Sequence, residues 1–391
     1  MRETENFETI AIRLQAERSN FKEHSVPLYL TSSYKFDDAE EMRALFANEK
    51  EGNIYSRYAN PNTTELIDKM AALEGAEAGW VTATGMAAIF TTFAALLRSG
   101  DHILSSRSVF GSTHQLLNNI FPKWGISYTY ADLDKPEEWE KGITPATKIL
   151  FVETPSNPGI DIIDLDWLAA LAKKNDLLMV VDNCFATPYL QQPIKHGADI
   201  SIHSATKFID GQGRTLGGVI LGTKEKIAEI EAFARHSGPA MSPFNAWILS
   251  KSLETLAVRM DRHCENALKV ASFLEAHPLV KIVRYPFLRS HPQYEIAKRQ
   301  MKQGGGIVTF VMKNGGEGAK TFMDKLNLFS ISANLGDTRS IATHPATSTH
   351  SKLTESERLQ VGIEQGTVRL SVGLEHIDDI LSDIKQALGG A

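Results

Sequence analysis

Lys207 closes the segment His203-Ser204-Ala205-Thr206-Lys207, just past a short apolar run and ahead of Gly211, Gly213, Gly217 and Gly218. An amine set beside two hydroxyls can bond covalently to an aldehyde while Ser204 and Thr206 hold an anion of the same molecule. Pyridoxal 5′-phosphate (PLP) carries both an aldehyde and a phosphate. The plainer reading is a solvated lysine at a strand end. Asp182 ends the run Leu177–Asp182. An acid at the carboxyl end of a buried strand faces the ligand side of an open α/β sheet. There it can keep a pyridine nitrogen protonated, so that the ring draws electrons. Its alternative use is to cap the next helix. Thr84-Gly85-Met86 stands between an apolar run and a helical pattern. Main-chain N–H groups of Gly85 and Met86 are phosphate donors in such a place, and an ordinary strand-to-helix turn is the other option. Arg369 lies inside the strand-like TVRLSVGLE. A guanidinium there needs an anionic partner: an amino-acid carboxylate, or an internal salt bridge.

These groups need a scaffold, and the pattern supplies one. Trp80–Thr82, His102–Ser105, Ile149–Glu153, Leu177–Asp182, Ile200–His203 and Val219–Leu221 read as short strands. Helical segments at Met86–Leu97, Ser112–Ile120 and Trp167–Lys174 lie between them. Strands apolar on both faces with helical connections predict an α/β/α layer with a mostly parallel sheet over about residues 65–255. A long helical stretch, Pro243 to Ala276, leads into a smaller α+β domain at about 256–391. Its strands are Ile282–Tyr285, Gly306–Met312 and Val368–Val372, and its helices Gly318–Leu326 and Ile377–Leu388. Residues 1–64 show no strong periodicity and read as an arm that packs on something else.

The bulk numbers agree with a soluble enzyme. The chain has 391 residues, 42% hydrophobic and 23% charged, with a net charge of −6. That length suits two domains, and that charge argues against a dedicated nucleic-acid or membrane-surface partner. Two cysteines, Cys184 and Cys264, are too few for a disulfide scaffold, and a reducing cytoplasm is expected. No signal peptide is read at the N-terminus, and no apolar run approaches the ~20 residues of a membrane span. The twelve histidines are scattered without metal-ligand spacing, so no metal is expected.

Six stretches together carry a family resemblance: Tyr55-Ser-Arg57-Tyr-Ala-Asn-Pro, Gly85-Met-Ala-Ala, Glu153-Thr-Pro-Ser-Asn157-Pro, Val181-Asp182-Asn, His203-Ser-Ala-Thr-Lys207 and His344-Pro-Ala. Taken in this order, they resemble the Cys/Met-metabolism PLP-dependent enzymes, the cystathionine γ-synthase-like branch of fold type I, over nearly the whole chain. The resemblance implies that Tyr55 and Arg57 reach across a subunit interface to a neighbour's cofactor phosphate. That gives the arm a purpose and implies at least a dimer, by family habit a homotetramer. It also implies Asn157 near the ring hydroxyl, Ser204 and Thr206 on the phosphate, and Phe110 stacked over the ring. Asn334 and Arg369 are implied on the substrate side.

Four departures narrow the reading. Many members carry a tyrosine where Phe110 stands, and phenylalanine can stack but has no proton to transfer. Ser112 replaces the cysteine usual in the methionine γ-lyases. Asn334-Leu-Gly-Asp337 and Asp210-Gly-Gln-Gly-Arg214 also differ from the common pattern. The combination looks most like members that join sulfide to O-succinylhomoserine, giving homocysteine and succinate for methionine biosynthesis. Lys207 is then the expected general base, with Asp182 steadying the carbanion. A second cation for the succinyl carboxylate is sought at Arg57 or Arg107, though Arg107 reads more readily as a surface charge. Cystathionine γ-synthase, a cystathionine or methionine γ-lyase, and a catalytically silent PLP-fold binding protein remain open alternatives.

Overall fold

Runs of residues apolar on both faces can only be strands that are covered on both faces. A computed structural model describes residues 6–351 and 354–389, and builds these runs into a seven-stranded sheet. Its strands are β1 Ala78–Thr82, β2 His102–Ser106, β3 Ser127–Ala131, β4 Thr147–Glu153, β5 Leu178–Asp182, β6 Ile200–Ser204 and β7 Gly218–Gly222. The order is β1-β7-β6-β5-β4-β2-β3. All pairs from β6 through β3 are parallel, and β7 alone runs antiparallel to both its neighbours.

Alternation along β4 and β5 sorts the two faces. Phe151 and Val180 pack with Ile103, Ile202 and Ile220 under the helix Gly85–Leu96, through its Ala88, Ile89 and Phe93. Leu150, Val152, Met179 and Val181 pack on the other face against Leu168 and Leu171 of the helix Leu165–Lys174. A buried aliphatic side chain contributes about 1.5–3 kcal/mol, so both layers hold the sheet firmly. This is the α/β/α layer with a mostly parallel sheet.

A second sheet has the order β10-β11-β12-β9-β8. It comprises β8 Val280–Arg284, β9 Ile307–Met312, β10 Ser330–Ile331, β11 Ile341–Thr343 and β12 Thr367–Ser371. Val308, Phe310, Val368 and Leu370 pack against the helices Leu256–Glu275, Gly315–Asp324 and Ile377–Ala387. A third core joins the two halves, running from Leu66 and Met70 through Phe208 and Met260 to Ile307 and Leu335. The fold is α/β, with a smaller α+β part built on the second sheet. Among the described residues, no helix is long and apolar enough to cross a membrane.

Several elements differ from expectation. The arm contains α1 Phe7–Arg13 and α2 Ala39–Phe46, and a third helix, α3, starts at Pro61 and runs to Glu74. Asn60 caps α3 by accepting the Asn62 N–H, with Pro61 in the first turn, so the Asn-Pro pair starts a helix here. The stretch 243–276 is two helices, Pro243–Leu253 and Leu256–Glu275. Residues 1–5 of the arm and 390–391 of the second domain lie outside the described residues.

Candidate active site

Strand ends and the turns after them gather the chemistry-bearing groups. Asp182 ends β5, and its in-register neighbour on β4 is Glu153. In-register neighbours on adjacent strands share a sheet face, so the two carboxyls lie side by side. Asp182 is 8% exposed and accepts the Cys184 N–H at 3.0 Å. Burial pushes its carboxyl up to about 6, against the pull of the Cys184 N–H and His203. Glu153 is raised well above the usual carboxylate range by burial first and by Asp182 second.

Lys207 follows β6, the strand beside β5. Its Nζ donates to Asn334 Oδ1 at 2.7 Å. Burial lowers its pKa, Arg369 lowers it further, and the nearby Cys184 thiol opposes both. The Cys184 thiol, raised by burial, feels Asp182, Lys207 and Glu153 together. Cys184 therefore stands among the acids and the amine.

Arg369 lies on β12 and is 1% exposed. One Nη donates to Asn157 Oδ1 at 2.9 Å. The other reaches Asn334 O at 3.1 Å and Thr343 Oγ1 at 3.2 Å. Its Nε is buried without a partner. Burial lowers the guanidinium to about 10, opposed by Glu153. Asn334 thus touches both cations, through its side chain and its carbonyl.

An anion cradle sits at the start of the helix Gly85–Leu96. Ala87 N–H bonds to Thr84 Oγ1 and Ala88 N–H to Thr84 O. That leaves the Gly85 and Met86 N–H groups without a partner inside the helix, at its positive end. Ser204 closes on this turn: a Cβ on Gly85 would lie 2.5 Å from Ser204 Cβ, so only glycine fits. Thr206 Oγ1 accepts the Gly217 N–H at 3.1 Å, which ties it to the neighbouring loop. Sequence reasoning thus named Lys207, Asp182, Asn157, Asn334 and Arg369, and the structure brings them together, with Gly85, Met86 and Ser204 at the adjoining cradle.

Tyr55 and Arg57 stand apart. Tyr55 is 41% exposed, and the Arg57 guanidinium donates to Arg235 O and lies 4.8 Å over the Tyr58 ring. Among the described residues, no hydrogen bond or ion pair joins either to Lys207, Asp182 or Ser204. Arg107 is committed to Asp132, Nε to Oδ1 at 2.8 Å. Phe110 enters the site through its main chain, its N–H donating to Glu153 Oε2 at 2.8 Å. Ser112 lies in the short helix Gly111–Gln115 that follows. His344 is spent on Thr347 Oγ1 and Gln365 O. The sequence reading quoted Glu153 only as part of a motif. Its signal was available: it closes the apolar run of β4 as Asp182 closes β5.

The sequence profile of the Cys/Met metabolism PLP-dependent enzymes matches residues 8–389. The chain belongs to that family. It is 46% identical over 382 residues to the O-succinylhomoserine sulfhydrylase of Pseudomonas aeruginosa, covering 98% of this chain and 95% of that one. It is 41% identical to an L-methionine gamma-lyase of Fusobacterium nucleatum subsp. nucleatum, covering 97% of each. A crystal structure from Campylobacter jejuni, described as an O-acetylhomoserine (thiol)-lyase, superposes with a TM-score of 0.95 at 36% identity. It covers 98% of this chain and 100% of that one, and carries N′-pyridoxyl-lysine-5′-monophosphate.

The cofactor of this PLP-dependent enzyme fits the residues present. Free helix-terminal N–H groups beside a serine hydroxyl suit a phosphate. A buried carboxylate suits a ring nitrogen, and a lysine of lowered pKa suits an aldehyde. The unpartnered Arg369 Nε suits an added carboxylate.

Proposed function

We propose that this PLP-dependent enzyme is an O-succinylhomoserine sulfhydrylase. It replaces the succinyloxy group at Cγ of O-succinylhomoserine with sulfide, releasing homocysteine and succinate. The bound cofactor supplies an aldehyde for the substrate amine and a protonated ring that draws electrons away from Cα. Asp182 holds the ring nitrogen. Gly85 and Met86 N–H, Ser204 and Thr206 hold the phosphate. Phe110 stacks on the ring, and Asn157 lies by its hydroxyl. Arg369 and Asn334 bind the substrate α-carboxylate and aim Cα, an alignment worth several powers of ten in rate. Lys207 Nζ takes the Cα proton and then moves protons at Cβ, so that succinate leaves and HS⁻ bonds to Cγ. Burial lowers its pKa, which favours the neutral amine that such work needs. Phe110 takes no proton, so Lys207 is the group that carries the transfers.

Tyr55 and Arg57 of one protomer are assigned to the phosphate of its neighbour, which requires at least a dimer, and a homotetramer is the proposed assembly. Of the two cations considered for the succinyl carboxylate, Arg107 is paired with Asp132, and Arg57 could serve it only alongside its phosphate role. The proposed site of action is the cytoplasm.

The observation that carries the reading is the Lys207–Asn334–Arg369 arrangement: a base and a carboxylate anchor held by one asparagine. The choice of substrate draws on greater similarity to the Pseudomonas aeruginosa sulfhydrylase than to the Fusobacterium lyase. That lyase similarity makes γ-elimination the second reading. One assay separates them. Purified protein is incubated with O-succinylhomoserine, alone and with sulfide or cysteine, and the products are identified. Homocysteine formed with sulfide supports the proposal. A 2-oxo acid and ammonia formed equally with or without sulfide would replace it with a lyase, and cystathionine formed preferentially with cysteine would make it a cystathionine γ-synthase.

A further inference from the structure

Glu153 is a buried acid with no part in the steps above. Three features mark its place. Its Oε2 accepts the N–H of Phe110 at 2.8 Å. The N–H of Asn157 also bears on its carboxyl. Its in-register neighbour across the β4–β5 pair is Asp182. Phe110, Asn157 and Asp182 come from three separate segments: the turn after β2, the loop after β4, and the end of β5. One carboxyl therefore sits where the three segments proposed to contact the cofactor ring meet.

The electrostatics around it are one-sided. Two carboxylates next to each other in a dry site resist being ionised together. Asp182 faces Glu153 from β5, the Cys184 thiol from the turn after it, and Arg369 from β12. Burial and Asp182 raise the Glu153 pKa, while the two N–H groups and Arg369 oppose them. Burial raises both carboxyls, and Glu153 is raised further by its Asp182 neighbour.

We propose that Glu153 is a positioning residue: its neutral carboxyl pins the Phe110 and Asn157 main chains and leaves the single negative charge of the Glu153–Asp182 pair on Asp182. The inference rests on the assignment of Asp182, Asn157 and Phe110 to the ring. A charged Glu153 would compete with Asp182 for the cationic ring nitrogen. A Glu153 that did not bond to Phe110 would free the turn that carries the stacking ring.

Two substitutions separate charge from hydrogen bonding. E153Q keeps the shape and the acceptor but can never ionise. E153M keeps the length and removes the acceptor. The holoenzymes are compared by pH titration of the visible cofactor band, by PLP affinity of the apoproteins, and by kcat and KM. E153Q is expected to reproduce the wild-type titration midpoint and to stay within about threefold in kcat/KM. E153M is expected to keep the band, since Lys207 is intact, but to lose kcat by roughly tenfold or more with a smaller change in KM, and to bind PLP more weakly.

A shift of the midpoint in E153Q by about one pH unit or more would mean that Glu153 is charged, and would overturn the proposal. So would an E153M enzyme indistinguishable from wild type. Because E153Q preserves shape, it decides the question of charge even if E153M does not fold. The underlying site reading is checked by the wild type itself. A colourless wild type that binds no PLP defeats that reading and this inference together. A yellow wild type whose colour needs Lys207, combined with either overturning result, defeats only the role given to Glu153.

Discussion

Two groups of buried charge flank the same stretch of chain, and they are built on opposite terms. On one side Arg259 donates to Phe208 O at 2.6 Å, to Ile209 O at 3.1 Å and to Ser252 O at 3.0 Å. Asp210 beside it accepts the Arg214 N–H at 2.7 Å and Arg214 Nε at 3.1 Å. On the other side Asp182 has a single main-chain donor, Lys207 a single amide acceptor, and Arg369 a buried Nε with no partner. Burial without full pairing is costly, and the chain tolerates it only where another molecule can complete the pairing. The matched group is scaffold; the unmatched group is the proposed site. Both lower an arginine to about 10, so the shift alone does not tell them apart. Each guanidinium makes four hydrogen bonds, and the difference is the buried Nε that Arg369 leaves without a partner.

The largest effect that sharpens this contrast belongs to Lys207. Lys207→Ala is expected to abolish borohydride trapping of the cofactor and to cut turnover by at least ~10³-fold. A variant that still turns over at the wild-type rate would refute the assignment. Next comes Arg259→Met, on the matched side. It leaves three carbonyls without their guanidinium and removes a positive charge near Asp210, at a cost of about 1–3 kcal/mol or more in stability. Thermal unfolding would show a clear drop in melting temperature. Arg369→Gln, on the unmatched side, should do the reverse. It should leave the cofactor band in place and lower kcat/KM for the amino-acid substrate by roughly 10²-fold, through the lost bidentate carboxylate contact.

Asp182 gives a prediction whose sign depends on pH. Its pKa rises from 3.8 to about 6 on folding, so the folded chain holds the proton more tightly than the unfolded chain. The stability this gives is present below about 4 and is lost as pH rises through about 6. At pH 7 the ionised carboxylate therefore destabilises the apoprotein. Asp182→Asn is expected to stabilise the apoprotein at pH 7 by about 1–3 kcal/mol while impairing catalysis, and to make little difference near pH 4. Denaturant titration of the two apoproteins at both pH values is the check. Lower stability of the variant at pH 7 would mean that Asp182 is already paired by the protein.

Much of this was legible in the sequence because strand pattern and site chemistry coincide. Runs such as LFVE and LMVVD are apolar on both faces and end in an acid, so strand and site residue are read together. Gly85 was legible because a strand-to-helix turn at a phosphate needs a close approach, and the Ser204 contact supplies it. Other features depend on distant partners. The break at residues 254–255 carries no glycine or proline. It is held instead by Arg259, which reaches back to Ser252 O and across to the distant Phe208 O and Ile209 O. The β3 strand alternates exposed and half-buried residues along most of its length at the sheet edge, and gives only a weak apolar signal. Tyr55 and Arg57 cannot be placed on a cofactor from one chain, because their proposed target lies on a neighbour. Only the family resemblance made them candidates.

The smallest effect expected falls on Arg214, one of the positions where the chain departs from its family's common pattern. Its guanidinium meets Asp210 and Ser252 Oγ, and its main-chain N–H makes the shorter bond to Asp210. Its side chain is 39% exposed, so water screens the ion pair. Substitution leaves the main-chain bond intact and leaves Asp210 close to Arg259. Arg214→Ala is therefore expected to cost about 1 kcal/mol or less in stability and to leave kcat/KM within roughly twofold of wild type. Thermal unfolding and the product assay with O-succinylhomoserine measure both. A large loss of activity with normal stability would move Arg214 from the scaffold to the site, and with it the line drawn between matched and unmatched charge.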